Sequence, residues 1–469
     1  MLVWMFACAV DPNHEVVAFQ QDTAAPVSEP AQVLAPATGC SVDDSAFGSI
    51  DLWVSGTVET VVEAVWTDES PGDTYLVFAA DGEALRYADA EAGPQEGMRA
   101  MLFGLKADTD YDVQIVREHQ GSSWCSEPRS VRTGSLPADL PALDIETFHE
   151  DVDGYLIAPV HTWSGGGWIL ILDGDGDVVW YRNGGHLRAR LSRDGRAVIT
   201  NDFANDAEQH GTIQRTELDG SGTSTVEVLG AHMDVVELET GRYATFGWET
   251  EVEADGTLTV LGETLLEVDA DGEVTEVWRA SDELVPDANV QDPSGNVDDA
   301  MWAHLNHLEY DRSEDAYYVV SRSLRAVYRI PRHLGTIDWT LAASKGDFQP
   351  ADNLGQLEFN PHSAVPTDDG VLIFDTGSTR SDFCSAAIEY TLDDEAMTAR
   401  QTWTYATDAC LVTDYLGNAV HLSDGHRLLV LAMSGLVDEV DEEGTLLQRV
   451  QVPDGGWVSY ATKVPSLGG

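Results

Sequence analysis

Short runs of alternating apolar and polar residues recur along most of the chain, and turn residues separate them. An alternation of two is typical of β-strands with one buried face, and the three-to-four spacing of helices is nearly missing. One hairpin with an acidic or glycine turn, often ending in tryptophan, occurs six times: LILDGDGDVVW, RTELDGSGTSTVEV, LLEVDADGEVTEVW, YRIPRHLGTIDW, IEYTLDDEAMTARQTW and VDEVDEEGTLLQRV. The pattern predicts an all-β protein.

A second kind of hairpin lies between consecutive copies of the first: RLSRDGRAVIT, VELETGRYATFG, LEYDRSEDAYYVVS, VPTDDGVLIFD and HLSDGHRLLVLA. Two hairpins make a unit of four strands, and this unit repeats along the second part of the chain. Such repetition is typical of β-propellers. We therefore expect a six-bladed β-propeller over residues 150–469.

Residues 48–134 have a different pattern, with runs such as TYLVFAA and YDVQIVRE between turn residues. This pattern predicts a small β-sandwich. Its stretch LKADTDYDVQIV resembles a fibronectin type III domain, in which a tyrosine at the place of Tyr111 bonds back to nearby backbone. Residues 135–149 are expected to be a linker.

Residues 1–47 begin with MLVWMFAC and continue with FQQDTAAPVSEPAQVLAPATG, which is rich in proline and alanine. A short apolar start that ends in cysteine is typical of a lipoprotein signal, with Cys8 as the lipidation site and a flexible tether behind it. The apolar part is short and no Lys or Arg precedes it, so an ordinary N-terminus is the alternative. We expect an exported protein, periplasmic or anchored in the membrane as a lipoprotein. No later segment is long and apolar enough to span a membrane.

Four further cysteines suit two disulfides in an oxidising compartment, Cys40 with Cys125 and Cys384 with Cys410. No cysteine or histidine spacing indicates zinc. The DGDGD run at 173–177 has the carboxylates of a calcium loop, but it lacks the glycine and glutamate placement of an EF-hand, and its counterparts are plain turns. We expect no metal there.

Charge narrows the choice of partners. The chain has 25 Lys and Arg against 82 Asp and Glu, a formal net charge of −57, while 43% of its residues are hydrophobic. Such a surface repels nucleic acid and anionic lipid, and it suggests a salty habitat in which ions screen the self-repulsion. An anionic substrate would therefore need local positive charge at its site.

Histidines recur at one point of the repeating unit. His186, His232, His304 and His362 each precede a second-type hairpin at a similar distance from its turn. Inner propeller strands begin around a central channel, so side chains from different blades can converge there. A single histidine in a β-domain is usually a packing residue, whereas several at one structural position predict a shared site.

The motifs MWAHLNHLEYD, VVSRSLRAVYRI, GTIDWTLA and FNPHSAVPTDDGVLIFDTG resemble the bacterial arylsulfate sulfotransferase family. Its members are exported six-bladed propellers that move a sulfuryl group between phenols without a nucleotide cofactor. The likeness covers roughly residues 150–455, and the sandwich also resembles the family's N-terminal domain. It implies an aryl sulfate donor, a phenolic acceptor and no cofactor, and it leaves a homodimer as one alternative for the oligomeric state.

The resemblance also implies roles for five residues. His362 matches the nucleophile, which would form an N-sulfohistidine, and His304 with Asn306 matches the His-x-Asn motif. Arg322 matches the arginine after the next strand, as the one fixed cation for sulfate oxygens; a surface ion pair is the alternative. His232, in HMD where HHD is usual, matches a further site histidine less closely. His304 and His232 would donate to oxygen or carry the phenol proton.

Three more side chains are candidates for binding substrate. Trp302 and Trp248 could stack on an aryl ring, with core or rim packing as the alternative, and His186 belongs to the histidine series. The chain departs from the family at His307, where serine is common, and at Pro361, where glutamine is common. Two other functions stay open: an exported or surface-anchored propeller that binds a ligand or protein without catalysis, and a lyase or hydrolase on the same scaffold.

Overall fold

The computed structural model describes residues 40–67, 72–93, 97–149, 152–163, 165–252, 258–285, 302–343, 345–351, 357 and 359–468. Nearly all regular structure in these ranges is β-strand, so the predicted all-β fold is confirmed. Within the same ranges, no helix is long and apolar enough to cross a membrane. Cys8, the predicted lipidation site, lies outside the described residues.

The N-terminal part consists of two small sheets around one core. One sheet contains β1 (Ser41–Val42), β4 (Asp73–Ala80), β5 (Arg86–Asp89), β8 (Asp110–His119), β9 (Ser122–Cys125) and β10 (Arg129–Arg132), and the other contains β2 (Ile50–Val54), β3 (Val62–Trp66), β6 (Glu91–Ala92) and β7 (Met98–Leu102). A 3₁₀ turn spans Asp44–Ala46. The Tyr111 hydroxyl accepts a hydrogen bond from the Lys106 N–H at 2.9 Å. The likeness to fibronectin type III stays a prediction.

The described residues after 143 form six sheets that follow one another along the chain. The first contains β12 (Tyr155–His161), β13 (Gly167–Leu172) and β14 (Val178–Asn183), and the second β15 (Ala189–Leu191), β16 (Ala197–Asp202), β17 (His210–Glu217) and β18 (Thr223–Leu229). The third contains β19 (His232–Glu239), β20 (Arg242–Val252), β21 (Leu258–Val268) and β22 (Val274–Arg279), followed by α1 (Ala280–Glu283).

The fourth sheet contains β23 (Leu305–Asp311), β24 (Ala316–Ser321), β25 (Ala326–Pro331) and β26 (Trp339–Ala342). The fifth contains β27 (Gln349–Pro350), β28 (Pro361–Thr367), β29 (Gly370–Asp375), β30 (Ala386–Asp393) and β31 (Thr398–Tyr405). The sixth contains β32 (Asn418–His421), β33 (Arg427–Leu431), a 3₁₀ turn (Ala432–Ser434), β34 (Leu436–Val440) and β35 (Leu446–Gln451). First strands contact one another in four pairs of neighbouring sheets (β12 with β15, β19 with β23, β23 with β28 and β28 with β32), which is the arrangement of propeller blades around an axis.

Every hairpin predicted from the sequence is present. The first kind forms the outer pair of each sheet and the second kind the inner pair of the second to sixth sheets. The acidic turns have a physical reason. In the first sheet, one Asp173 oxygen accepts the N–H groups of Asp175 and Asp177, and Asp269 accepts those of Asp271 and Glu273 in the same way. A carboxylate at the start of the turn thus replaces backbone acceptors that the turn lacks.

Strands from distant parts of the chain close the ring. β36 (Trp457–Val458) and β37 (Thr462–Val464) pair with β12 as the innermost part of the first sheet. β11 (Asp144–Thr147), inside the segment predicted to be a linker, adds to β35 of the sixth sheet. The Asn418 amide also donates to the Ala461 carbonyl at 2.8 Å and accepts its N–H at 3.0 Å. The last and first blades are therefore joined by hydrogen bonds.

Both predicted disulfides are present. Cys40 pairs with Cys125 beside the first sandwich strand, and Cys384 pairs with Cys410 in the fifth blade. Disulfides persist in oxidising compartments, so the two bridges support export.

The DGDGD turn contacts a cation from the sandwich. The Lys106 ammonium lies 2.6 Å from Asp175, 2.9 Å from Asp177 and 3.7 Å from Asp173. Partial burial opposes the charge, but the hydrogen bonds to Asp175 and Asp177 outweigh it and raise the pKa of Lys106. Beside it, Thr60 Oγ1 donates to the Val179 carbonyl at 2.7 Å. The three carboxylates thus dock the sandwich on the first blade.

We predict that Lys106→Met loosens this docking, because the side chain keeps its apolar stem but leaves three carboxylates without their cation. A partly exposed ion-pair network is worth about 1 kcal/mol, so the melting temperature should fall by about 2–4 °C in low salt. Lys106→Arg is the matched control and should melt like the wild type. Calorimetry in which Lys106→Met also melts like the wild type would show that the contact adds no stability.

Candidate active site

Bulges near the starts of three inner strands aim side chains at the channel. In β19, β23 and β28 the pairing with the next strand shifts register there. A bulge turns a side chain out of the regular alternation and is frequent beside active sites. The residue directly before the pairing resumes is Asp234 in β19, Asn306 in β23 and His362 in β28. All three side chains are buried.

This register corrects the alignment based on turns, which placed His232 at the same position as His362. His232 pairs with Phe246 on the far side of the bulge, and regular pairing resumes only at Val235. Asp234 therefore holds the place that is equivalent to His362. Counting residues back from a turn cannot detect the error, because a bulge adds residues to one strand without changing the hairpin.

His362 is held as a neutral ring. Its Nε2 accepts the Leu416 N–H at 3.0 Å, so the lone pair is on Nε2 and the proton is on Nδ1. Burial holds the pKa of His362 well below its usual value, and the charges of Arg188 and Arg322 lower it further. His304 and His307 also lie near this ring. An unprotonated, buried imidazole beside cations is a nucleophile that can meet an anion.

Arg322 connects several parts of the channel mouth. Its side chain is only 4% exposed, which excludes the alternative of a surface ion pair. It donates to the Asp414 carbonyl at 3.1 Å and lies 4.8 Å from the centre of the Tyr415 ring. Its backbone N–H donates to the carbonyl of His304, which has a left-handed φ of 48°. Arg322 therefore sits beside the His-x-Asn segment, as the family resemblance implies.

Asn306 presents an amide that the protein does not satisfy. The side chain is 1% exposed, and neither its nitrogen nor its oxygen has a hydrogen-bond partner among the described residues. A buried polar group without a partner costs about 1–3 kcal/mol, so such a group in a cleft is suited to a ligand.

A buried carboxylate, which the sequence analysis did not single out, organises the channel. Asp234 has no exposed surface, and it lies 3.5 Å from Arg188, 3.6 Å from Arg190 and 3.1 Å from His307. It also accepts the Leu308 N–H at 3.0 Å. Burial favours the protonated form, but Arg190 and Arg188 outweigh it and hold the pKa of Asp234 well below its usual value. The carboxylate is ionised.

Arg322 is thus not the one fixed cation of the site, contrary to the sequence analysis. Arg188 is buried as well and Arg190 is partly buried, and they lie 5.2 and 5.1 Å from the centre of the Tyr460 ring. Tyr460 lies between β36 and β37 and is 2% exposed. The run HLRARLSRDG could have indicated Arg188 and Arg190. Residues two apart in a strand share a face, and two basic residues on one face stand out in a chain with so few of them.

His232 is connected to the His-x-Asn segment through Glu263. Its Nδ1 lies 2.9 Å from the Gly230 carbonyl and its Nε2 lies 3.1 Å from Glu263, so both ring nitrogens are engaged. The ring stacks on Trp248 with centroids 4.4 Å apart. Glu263 in turn accepts the N–H of Leu305 at 3.1 Å. These contacts suit a residue that positions the His-x-Asn segment.

His186 and Trp302 have contacts of their own. His186 Nδ1 lies 2.9 Å from Asp202, and the Trp302 indole N–H donates to the Leu261 carbonyl at 3.0 Å. These contacts, and that of Trp248 with His232, do not involve the residues around His362, which are Arg188, Arg322, His304 and His307. Their role in substrate binding stays a prediction.

The disulfide in the fifth blade holds the loop that contacts His362. Cys384 pairs with Cys410, and next to the bridge the Thr413 N–H donates to Ser385 Oγ at 2.8 Å. The same loop carries Leu416, the hydrogen-bond donor to His362.

Among solved structures, the chain is similar to a nidogen/laminin complex (10% identity, 72% of this chain and 95% of that one, TM-score 0.29), to Hsv2 of Kluyveromyces lactis (10%, 73% and 93%, TM-score 0.29) and to hydrazine synthase of Kuenenia stuttgartiensis (13%, 74% and 97%, TM-score 0.31). Similarities this weak say nothing about the site. A search of the curated proteins found no match.

A sequence profile described as Arylsulfotransferase (ASST) matches residues 144–462, from β11 to the start of β37. This match spans more than half of the chain and supports a sulfotransferase enzyme: the chain belongs to the arylsulfotransferase family.

Proposed function

We propose that the protein transfers a sulfuryl group from an aryl sulfate to a phenol through a sulfohistidine on His362, without a cofactor. The observation that carries the proposal is the neutral, buried His362 among positive groups, in a chain whose net charge is −57. Local cations of this kind are what an aryl sulfate, an anion, requires. The unpartnered amide of Asn306 adds a donor for a sulfate oxygen.

In the first step, the Nε2 lone pair of His362 attacks sulfur. The N–S bond forms while the bond from sulfur to the aryl oxygen breaks, and the phenolate leaves with that electron pair. The Leu416 N–H gives up its hydrogen bond to Nε2 as the new bond forms. By analogy with phosphoryl transfer, negative charge spreads over three equatorial oxygens, which Arg322 and Asn306 stabilise. His304 protonates the departing phenolate.

In the second step, the acceptor phenol gives its proton to His304 and attacks the same sulfur. The N–S bond breaks and its electron pair returns to His362, so the enzyme is restored. His232 takes no part in the chemistry in this proposal. With Glu263 it positions the segment that carries His304 and Asn306.

We predict that His362→Asn abolishes both transfer and the covalent adduct. Asparagine preserves much of the shape, but its amide nitrogen is delocalised and cannot attack sulfur. Intact-mass measurement after mixing with 4-nitrophenyl sulfate should show one added SO₃ group on the wild type and none on the variant. His304→Asn is the comparison and should still form some adduct, because it removes the proton carrier and leaves the nucleophile.

Steady-state kinetics provide an independent check of the two steps. A covalent intermediate predicts parallel lines in double-reciprocal plots as the acceptor concentration varies. Intersecting lines, or wild-type transfer by His362→Asn, would assign the reaction to direct transfer or to another histidine. Release of free sulfate in the absence of a phenol would favour a hydrolase.

We predict that Arg322→Lys lowers turnover by about tenfold or more. Lysine keeps the charge, but it loses the planar pair of donors that fits two sulfate oxygens. Arg279→Lys is the matched control at an exposed arginine and should leave turnover unchanged. Equal turnover of Arg322→Lys and the wild type would place Arg322 outside the set that binds the oxyanion.

We predict that the rate of adduct formation stays level as the pH falls from about 8 to about 5.5. An ordinary histidine, with a pKa of about 6.5, would be about nine-tenths protonated at the lower value and would lose its nucleophile. The pKa of His362 is well below the ordinary value, so its ring stays neutral over this pH range. Rapid-quench measurement of the adduct checks this, and an inflection near pH 6.5 would contradict it.

A further inference from the structure

We infer that Arg188 is a second anion-binding residue of the site and holds sulfuryl oxygens together with Arg322. The inference rests on the proposed function and assigns a role to a residue that no motif pointed to.

Arg188 and Arg322 bind the same short segment. The Arg188 side chain donates to the Asn306 carbonyl at 3.1 Å, and the Arg322 backbone N–H donates to the His304 carbonyl at 3.0 Å. The side-chain amide of Asn306, in the same segment, has no partner among the described residues. The charges of both guanidinium groups act on His362, so an anion bound at that ring would lie near both.

Arg188 retains donors for such an anion. A guanidinium has five N–H groups. Its hydrogen bonds to described residues go to the Leu187 carbonyl at 3.3 Å and the Asn306 carbonyl at 3.1 Å, and its Nε lies 3.5 Å from Asp234. The side chain is 3% exposed, so water does not reach it freely. Unused donors of a desolvated cation bind an oxyanion more strongly than those of a solvated one.

Arg190, two residues further along the chain and inside β15, is an arginine whose contacts are structural. It stacks on the same Tyr460 ring, but it donates to Glu309 at 2.8 Å and to the Leu308 carbonyl at 3.0 Å. Its charge is balanced at short range by a carboxylate. Arg188 lies beside a carboxylate only at 3.5 Å, and it is the charged group that most strongly disfavours protonation of His362.

Binding of inorganic sulfate tests the inference without any transfer step. Isothermal calorimetry should give Arg188→Gln at least about tenfold weaker sulfate binding than the wild type, because a charge-assisted hydrogen bond is lost. Adduct formation from 4-nitrophenyl sulfate should slow by about 100-fold, the usual effect of removing one oxyanion donor. Arg193→Gln, in the turn after β15, is the control and should match the wild type.

The pH profile separates binding from a structural role. The charged and titratable groups facing His362 are Arg188, Arg322, His304 and His307. Removing the Arg188 charge in Arg188→Gln should move the acid limb of adduct formation to higher pH. Arg188→Lys should keep the acid limb of the wild type, because it keeps the charge, and should bind sulfate less well, because it lacks the fork. A loss of packing alone would lower the melting temperature of both variants and leave the acid limb in place.

Wild-type sulfate affinity and an unchanged acid limb in Arg188→Gln would overturn the inference. Should Arg188→Gln not fold, Arg188→Lys carries the test, and its sulfate affinity must then fall below that of the wild type. If the wild type forms no adduct, the proposed function fails. The calorimetry still decides whether Arg188 binds the oxyanion.

Discussion

The buried carboxylate of Asp234 is the interaction on which the channel depends. It comes from the third blade, faces Arg188 and Arg190 of the second, and accepts the Leu308 N–H of the fourth. Arg188 without this partner would be a buried charge, and leaving such a charge uncompensated costs about 3–5 kcal/mol. The carboxylate therefore lets a strongly acidic protein keep cations in its interior. Those cations are the local positive charge that an anionic substrate needs.

The hairpins of the propeller could be predicted because their information is local. A strand such as β29 contains a short apolar run, VLIF, and a turn with aspartate and glycine marks its start. The closing strands could not be predicted in this way. β36 has two residues, too few for a period, and it pairs with β12 from the other end of the domain. β11 was assigned to a linker for the same reason.

Candidate site residues that belong to a sequence motif could be predicted, whereas those that only long-range packing brings there could not. His304, Asn306, Arg322 and His362 were found from motifs, and the structure brings His304 and Arg322 beside His362. Arg188 and Asp234 were missed, because only the bulges and the blade order bring them there. His232 was predicted from its likeness to the HHD motif and from a turn alignment, and that alignment ignored the bulge in β19.

In the proposed reaction, the same cations perform two tasks that are usually in conflict. A cation that binds sulfate lowers the pKa of a nearby base and so makes it a weaker proton acceptor. His362, however, would act as a nucleophile, and a nucleophile must stay unprotonated. Positive charge beside His362 disfavours a second proton and favours the sulfuryl group, which arrives as an anion. Once the group is on Nε2, its negative oxygens remain beside the cations, and the ring nitrogen has no lone pair left to take a proton. The proton of the acceptor must then go elsewhere, and the proposal assigns it to His304, which is half-buried and lies near His362.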